Sequence, residues 1–166
     1  DMTFTTGSPV SNILIPKNAK FTTKINTSTY TFLATESRVA SFNSETSAYD
    51  VKDFEIKEGI LASSIQTVVG TTENEVFSIP NENVDISTLH VTVAGEVYIR
   101  ADDITEIKAT DKVYFLQEGR EDKYEIYFGD GVIGKKPETG DDIQMEYSIS
   151  MLGEDGNGAR NFVLAE

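Results

Sequence analysis

The chain of 166 residues carries 28 acidic and 14 basic side chains, no cysteine and one histidine, giving a net charge of −14. Disulfide frameworks and thiolate or imidazole-rich metal sites are thereby excluded, and such a surface repels nucleic acid and anionic membranes unless basic residues cluster locally. The length lets about 68–70% of the unfolded surface be buried, enough for one good core or two small ones. No run of about 18 apolar residues exists to cross a bilayer.

The opening DMTFTTGSPV lacks the basic and apolar halves of a signal peptide. The start at Asp1 rather than a methionine leads us to expect a fragment of a longer polypeptide. Residues 1–12 read as a polar lead-in with a turn at Gly7-Ser8-Pro9. Ile13 to Phe21 then begin the ordered part, with Pro16 confined to a strand edge or turn because it cannot donate to a ladder. Phe21, Thr23 and Ile25, then Tyr30 and Phe32, flank Asn26-Thr27-Ser28-Thr29 and predict a hairpin. The glycosylation sequon at Asn26 is read as chance in an unprocessed chain.

Residues 34–50 predict a short strand around Arg38–Phe42 followed by loop, and Val51, Phe54 and Ile56 an inward-facing set. Residues 1–57 hold six acidic and six basic side chains, whereas 58–166 hold 22 acidic and eight basic. That asymmetry predicts two units with a junction near Lys57–Gly59. Further strands are expected at Ile60–Leu61 with Ile65–Val69, at Glu75–Asn81, at Leu89–Val93, at Val97–Ile99, at Ile104–Ile107 and at Val113–Leu116. One helical turn is expected at Val84–Thr88, capped by Asp85 or Ser87. The regular short spacing favours a β-sandwich or barrel over βαβ units.

Tyr124–Phe128 and Ile143–Ser150 each alternate with period two, and between them stand Gly129, Gly131, Gly134, Pro137 and Gly140. This predicts an antiparallel pair, the FGDG hairpin, joined by a structured loop. Gly129 to Gly134 also match G-x-G-x-x-G, the dinucleotide fingerprint, but the breakers that follow leave no room for the helix that would receive a pyrophosphate. After Gly153 a glycine-rich reversal precedes a last strand at Asn161–Ala165, and the C-terminal segment 153–166 is a candidate to complete the first unit.

Catalytic chemistry would rest on carboxylates. Asp102-Asp103, Glu121-Asp122 and Asp141-Asp142 are adjacent pairs, and neighbours on a strand point to opposite faces, so none forms a shared-proton dyad. His90 has no spaced nucleophile or acid. The stretch at Asp155 lacks the glycine a calcium loop needs at its sixth position, where Arg160 stands. Neither an enzyme site nor a cofactor nor a metal is expected. Tyr98, Tyr114 and Tyr127 fall opposite Val97 or Ile99, Val113 or Phe115, and Ile126 or Phe128. Two readings stand for them: burial inside a sandwich, or an interface with another chain.

Several stretches in order resemble the baseplate J-like family of contractile phage tails, closest to its T-even-type wedge members. They are Ile15-Pro16-Lys17 with Phe21; Phe77 to Asp85, including Pro80 and Asn81, followed by Leu89 to Val93; Phe128-Gly129-Asp130-Gly131-Val132-Ile133-Gly134 with Pro137, Gly140 and Ile143; and Gly156-Asn157-Gly158. Asn18-Ala19 stand where the family often has glycine and threonine. The resemblance implies a virion structural protein, part of a baseplate wedge, assembled in the bacterial cytoplasm. Its implied partners are other wedge proteins and itself, without nucleic acid, membrane or small-molecule substrate.

The expected fold class is mostly β, with two small antiparallel sandwich or barrel-like units and at most short helices. One is 1–58, the other an acidic unit at 59–152. The competing reading is a secreted β-sandwich adhesin or carbohydrate-binding module. A carboxylate hydrolase would require two acids converging in a cleft.

Overall fold

A computed structural model describes residues 2–4, 10–25, 27–70, 75–120, 123–151, 159 and 162–164. Among these the chain is all β, with no helix. The strands are β1 (Met2–Phe4), β2 (Asn12–Ile15), β3 (Lys20–Ile25), β4 (Ser28–Ala34), β5 (Arg38–Asn43), β6 (Ala48–Val51) and β7 (Ile56–Glu58). There follow β8 (Ile60–Thr67), β9 (Val76–Ser78), β10 (Val84–Val93), β11 (Glu96–Arg100), β12 (Val113–Glu118), β13 (Tyr124–Phe128), β14 (Asp142–Ile149) and β15 (Val163–Leu164). The chain divides into two compact units, Asp1–Leu61 with Ser150–Glu166, and Ala62–Ile149.

The first unit holds two four-stranded sheets, ordered β1-β6-β5-β2 and β15-β3-β4-β7. The β-branched and aromatic arms expected around residue 26 form the β3–β4 hairpin, paired from Lys20↔Leu33 to Ile25↔Ser28. Their inward residues, Phe21, Tyr30 and Phe32, join Ile15, Ala34, Ala40, Tyr49 and Val51 in a buried cluster. Phe54 meets Phe21 edge-on at 5.9 Å, and Phe162 meets Phe32 at 5.0 Å. β15 lies against β3 through Val163↔Thr22 and Leu164↔Phe21.

Two expectations here are corrected. The polar lead-in contains β1, paired with β6 through Met2↔Val51. The loop expected after Phe42 turns at 44–47 and returns as β6, because Tyr49 can be fully buried with its polar tip satisfied. Its hydroxyl donates to the Val10 carbonyl at 2.6 Å and accepts the Val10 amide at 2.7 Å.

The second unit is one seven-stranded sheet, β8-β14-β10-β11-β12-β13-β9, curled until it is nearly closed. Gln66 on β8 donates through Nε2 to the Ser78 carbonyl on β9 at 2.7 Å, joining the two ends of the strand order. Alternation along each strand delivers Phe77, Val91, Val93, Ile126, Ile143, Met145 and Tyr147 to the interior. β10 and β11 are joined at Ala94-Gly95, both with positive φ (49° and 79°), the geometry of a two-residue primed hairpin.

Other expectations give way in this unit. Val84–Thr88 is the start of β10, not a helical turn. A register shift between Asp85 and His90 is stabilised locally, with Asp85 Oδ1 accepting the Ser87 amide and Thr88 Oγ1 accepting the Ser148 amide. Ile104–Ile107 is not a strand. β11 and β12 run parallel, and residues 101–112 make the crossover as a series of turns, with Asp103 accepting from Thr105, and Asp111 from the Lys108 amide. β13 and β14 do not form a hairpin. β13 pairs with β12 and β9, β14 lies between β8 and β10, and residues 129–141 cross from one to the other.

Tyr98 and Tyr114, the first two interface candidates, are core residues, each 3% exposed. Of the two readings left open for them, burial is the one that holds. A barrel interior of this width takes the large ring, and Val97 and Ile99 are left outside. Burial raises the hydroxyl pKa of Tyr98, Tyr114 and Tyr147 above the ordinary 10.0. The unfolded chain ionises at the ordinary value while the folded one keeps its protons, so stabilisation present below pH 10.0 is lost as pH rises through the raised values.

An alkaline titration is therefore expected to show loss of circular dichroism above pH 10.0, accompanied by a rise in tyrosinate absorbance as these three hydroxyls are uncovered. Ala94 occupies a left-handed conformation that costs a residue with a Cβ about 1–2 kcal/mol. Ala94→Asn, which recreates the favoured Asn-Gly turn, is expected to raise the unfolding free energy in urea by about 0.5–1 kcal/mol.

Candidate protein–protein interface

The loop that leaves β13 is rigid for identifiable reasons. Phe128 anchors it inside, its ring edge-on to Tyr98 at 5.4 Å and to Phe77 at 5.8 Å. A Cβ on Gly129 would fall on the Ile133 carbonyl and the Gly134 backbone. Gly134 has φ +82°, and a Cβ there would sit 2.8 Å from Cγ2 of Val113. Asp130 Oδ1 accepts the amides of Val132 at 2.8 Å and Ile133 at 2.9 Å, which holds its carboxyl below the ordinary 3.8. The amides that a phosphate would need are thus taken by the loop's own carboxylate, and the glycine pattern is a turn.

The same loop is tied to the β11–β12 crossover. The Gly134 and Lys135 amides donate to the carbonyls of Lys108 (3.2 Å) and Asp111 (2.8 Å). Glu96 accepts Lys112 Nζ at 2.7 Å and Lys135 Nζ at 3.0 Å, and these two ammonium groups keep its carboxyl below the usual range.

The remaining motif residues also have places in the framework. Pro16 follows the last residue of β2, Asn18 takes φ 65° in the position where glycine often stands in the resembling family, and Phe21 is core. Pro80 lies just past β9; Asn81 Oδ1 accepts the Tyr147 hydroxyl at 2.6 Å; Asn83 has φ 56°; Asp85 holds the β10 irregularity. Gly140, at φ +95°, donates its amide to the Val68 carbonyl at 2.9 Å. Gly156 and Asn157 lie outside the described residues.

Of the three tyrosines, Tyr127 alone faces outward, half-buried and stacked on Phe115 with centroids 5.0 Å apart and planes 19° apart. Register extends that pair sideways. Tyr127 is opposite Val76, Phe115 opposite Tyr127, and Val113 opposite Ile99. The outward positions of β11, β12, β13 and β9 thus carry Val97, Ile99, Val113, Phe115, Tyr127 and Val76. Ile99 is 70% and Val97 52% exposed. Because Gly134 rests on Val113, the loop presenting Val132, 72% exposed, begins at the edge of this face. Sequence reasoning missed Val97 and Ile99 as surface residues. The available signal was ring size: two tyrosines cannot be outside if Phe128 is to have aromatic neighbours within.

The described carboxylate pairs are occupied locally. Asp102 pairs with Arg100, Asp103 turns Thr105, Asp141 accepts the Glu138 amide and Asp142 accepts Thr67 Oγ1. His90 is exposed on β10, opposite Glu146. Among the described residues no group of three or more His, Cys, Asp or Glu is placed to hold a metal ion.

Gly129→Ala is expected to destabilise the protein by about 1–3 kcal/mol, since the added methyl meets backbone that cannot swing aside. Gly131→Ala, whose Cβ meets only Lys136 Cβ at 3.9 Å, is expected to lose about 1 kcal/mol from its φ of +89° alone. Urea midpoints compared with wild type check the order.

A family model described as bacteriophage baseplate wedge protein gp6, third domain, matches residues 64–151. A comparison with curated proteins returned no match. The matched stretch runs from within β8 through β14, takes in the FGDG loop and the outward aromatic face, and covers more than half of the chain. The chain belongs to the bacteriophage baseplate wedge protein gp6, third domain, family, a structural family of the phage tail baseplate.

Proposed function

We propose that the chain is a structural piece of the wedge in a contractile tail baseplate, of the J-like, T-even type, joining neighbours around the hub and associating with further copies of its parent. It is assembled there in the bacterial cytoplasm. The observation that carries this reading is the use made of the motif residues. Gly129, Asp130, Gly134, Asn81 and Asp85 all spend their chemistry on holding turns and crossovers. Such a molecule is suited to presenting a fixed surface to other proteins.

The adhesin or carbohydrate-binding reading asks for ring faces open to a sugar. Phe115 and Tyr127 instead turn one face each toward the other.

The test is an in-frame deletion of residues 62–149 in the genome that encodes the chain. The expected outcome is normal heads with tails that lack a baseplate, seen by electron microscopy, and loss of co-purification of the parent protein with tail components. Complete particles that fail only to attach to cells would instead establish the adhesin reading.

A further inference from the structure

The two long connections of the second unit, 101–112 and 129–141, have 12 and 13 residues and no strand or helix of their own. Connections of that length without secondary structure are uncommon, and their position depends on what holds them. The far half of the second connection is tied to the end of β8, where Gly140 donates to the Val68 carbonyl and the Val68 amide to that of Asp141. The near half, 129–136, leans instead on the first connection, through the Gly134 and Lys135 amides on the Lys108 and Asp111 carbonyls.

One side chain reaches across the same spot. Glu96 opens β11 and shares the inward side of the strand with Tyr98, yet is exposed, so it stands at the mouth of the curled sheet. Its carboxylate divides between the connections. Oε1 accepts Nζ of Lys112, the last residue of the first, and Oε2 accepts Nζ of Lys135, in the second. The Tyr98 hydroxyl faces both Glu96 and Lys135, and Asp141, whose Oδ2 accepts the Glu138 amide, acts on Lys135 and Tyr98. Asp130 grips the Val132 and Ile133 amides within the loop, so the loop keeps its own shape by means separate from its docking.

We infer that Glu96 is an acid-released clamp: ionised, it docks residues 129–136 on the 101–112 connection; protonated, it lets that half of the loop come away while the strands stay folded. A neutral carboxyl offers no charge to either ammonium group and leaves Lys112 and Lys135 as like charges beside one another. The sign follows from the same bonds. The two ammonium groups hold the Glu96 carboxyl below the ordinary 4.5, so docking is complete above that value and is lost as pH falls through the lowered one. The tip carrying Val132, 72% exposed, is thus fixed in place only while Glu96 is charged. The clamp acts within the chain, whatever partner the wedge supplies.

Amide hydrogen exchange of the full chain, followed by NMR from about pH 6 to about pH 3 and expressed as protection factors, reads the docking residue by residue. In the wild type, protection of Gly134 and Lys135 is expected to fall below pH 4.5 ahead of the β10 and β14 ladder amides. In Glu96→Gln it is expected to be about three- to tenfold lower already at about pH 6, without that acid step. Val132 and Ile133, bonded to Asp130, and the ladder amides are expected to keep their protection in the variant at about pH 6. Glu146→Gln, which removes a β14 carboxylate bonded to Gln144, is expected to behave as wild type. Equal protection of Gly134 and Lys135 in wild type and Glu96→Gln overturns the inference. So does an acid step that survives in the variant, or a loss shared equally by the loop and the ladders, which marks general destabilisation.

Discussion

The hydrogen bond from Gln66 to the Ser78 carbonyl joins the ends of a seven-stranded sheet, and with that near-closure the inner side of every strand becomes core. Much else in the second unit follows. A curled sheet of this size encloses more volume than aliphatic side chains alone fill, and Tyr98, Tyr114, Tyr147, Phe77 and Phe128 supply it. Tyrosine can serve because its polar tip can reach a partner, as Tyr147 reaches Asn81. The same geometry sends every second residue outward, and on β11 to β13 those residues are also apolar.

Closing the sheet in this strand order demands long connections. β11 to β12 is parallel and β13 to β14 passes over three intervening strands, so residues 101–112 and 129–141 must cross the ends of the sheet without a helix to stiffen them. The sequence meets that demand with carboxylates that cap backbone amides within two or three residues, at Asp103, Asp111 and Asp130. Glu96 then links both connections through Lys112 and Lys135. Part of the negative charge of this unit is therefore architectural.

The fold class was legible because alternation is a local signal. Nearly every run with period two became a strand, and the glycines near residue 130 became turns. Partner choice was not legible, since β13 and β14 look like a hairpin along the chain and only the closure of the whole sheet separates them. Face assignment stayed open at Tyr98 and Tyr114 for a related reason: Val97-Tyr98-Ile99 is apolar on both sides, and periodicity alone assigns no inside. Ile104–Ile107 misled because two isoleucines outweighed the Asp103 and Thr105 turn chemistry beside them. The motif stretches pointed to a phage baseplate wedge, which the match over residues 64–151 supports at that level, yet their roles as turn holders were visible only in the folded chain.

The pairing of β15 with β3 spans 141 residues between Thr22 and Val163. During synthesis the ribosome releases Val163 only after everything from β4 to β14 has emerged. The second unit can reach its native state while the first still lacks β15, so one sheet of the first unit exposes the β3 edge until Val163 has emerged. The order in which this protein matures is thus written into its connectivity: the inserted segment first, the surrounding one last.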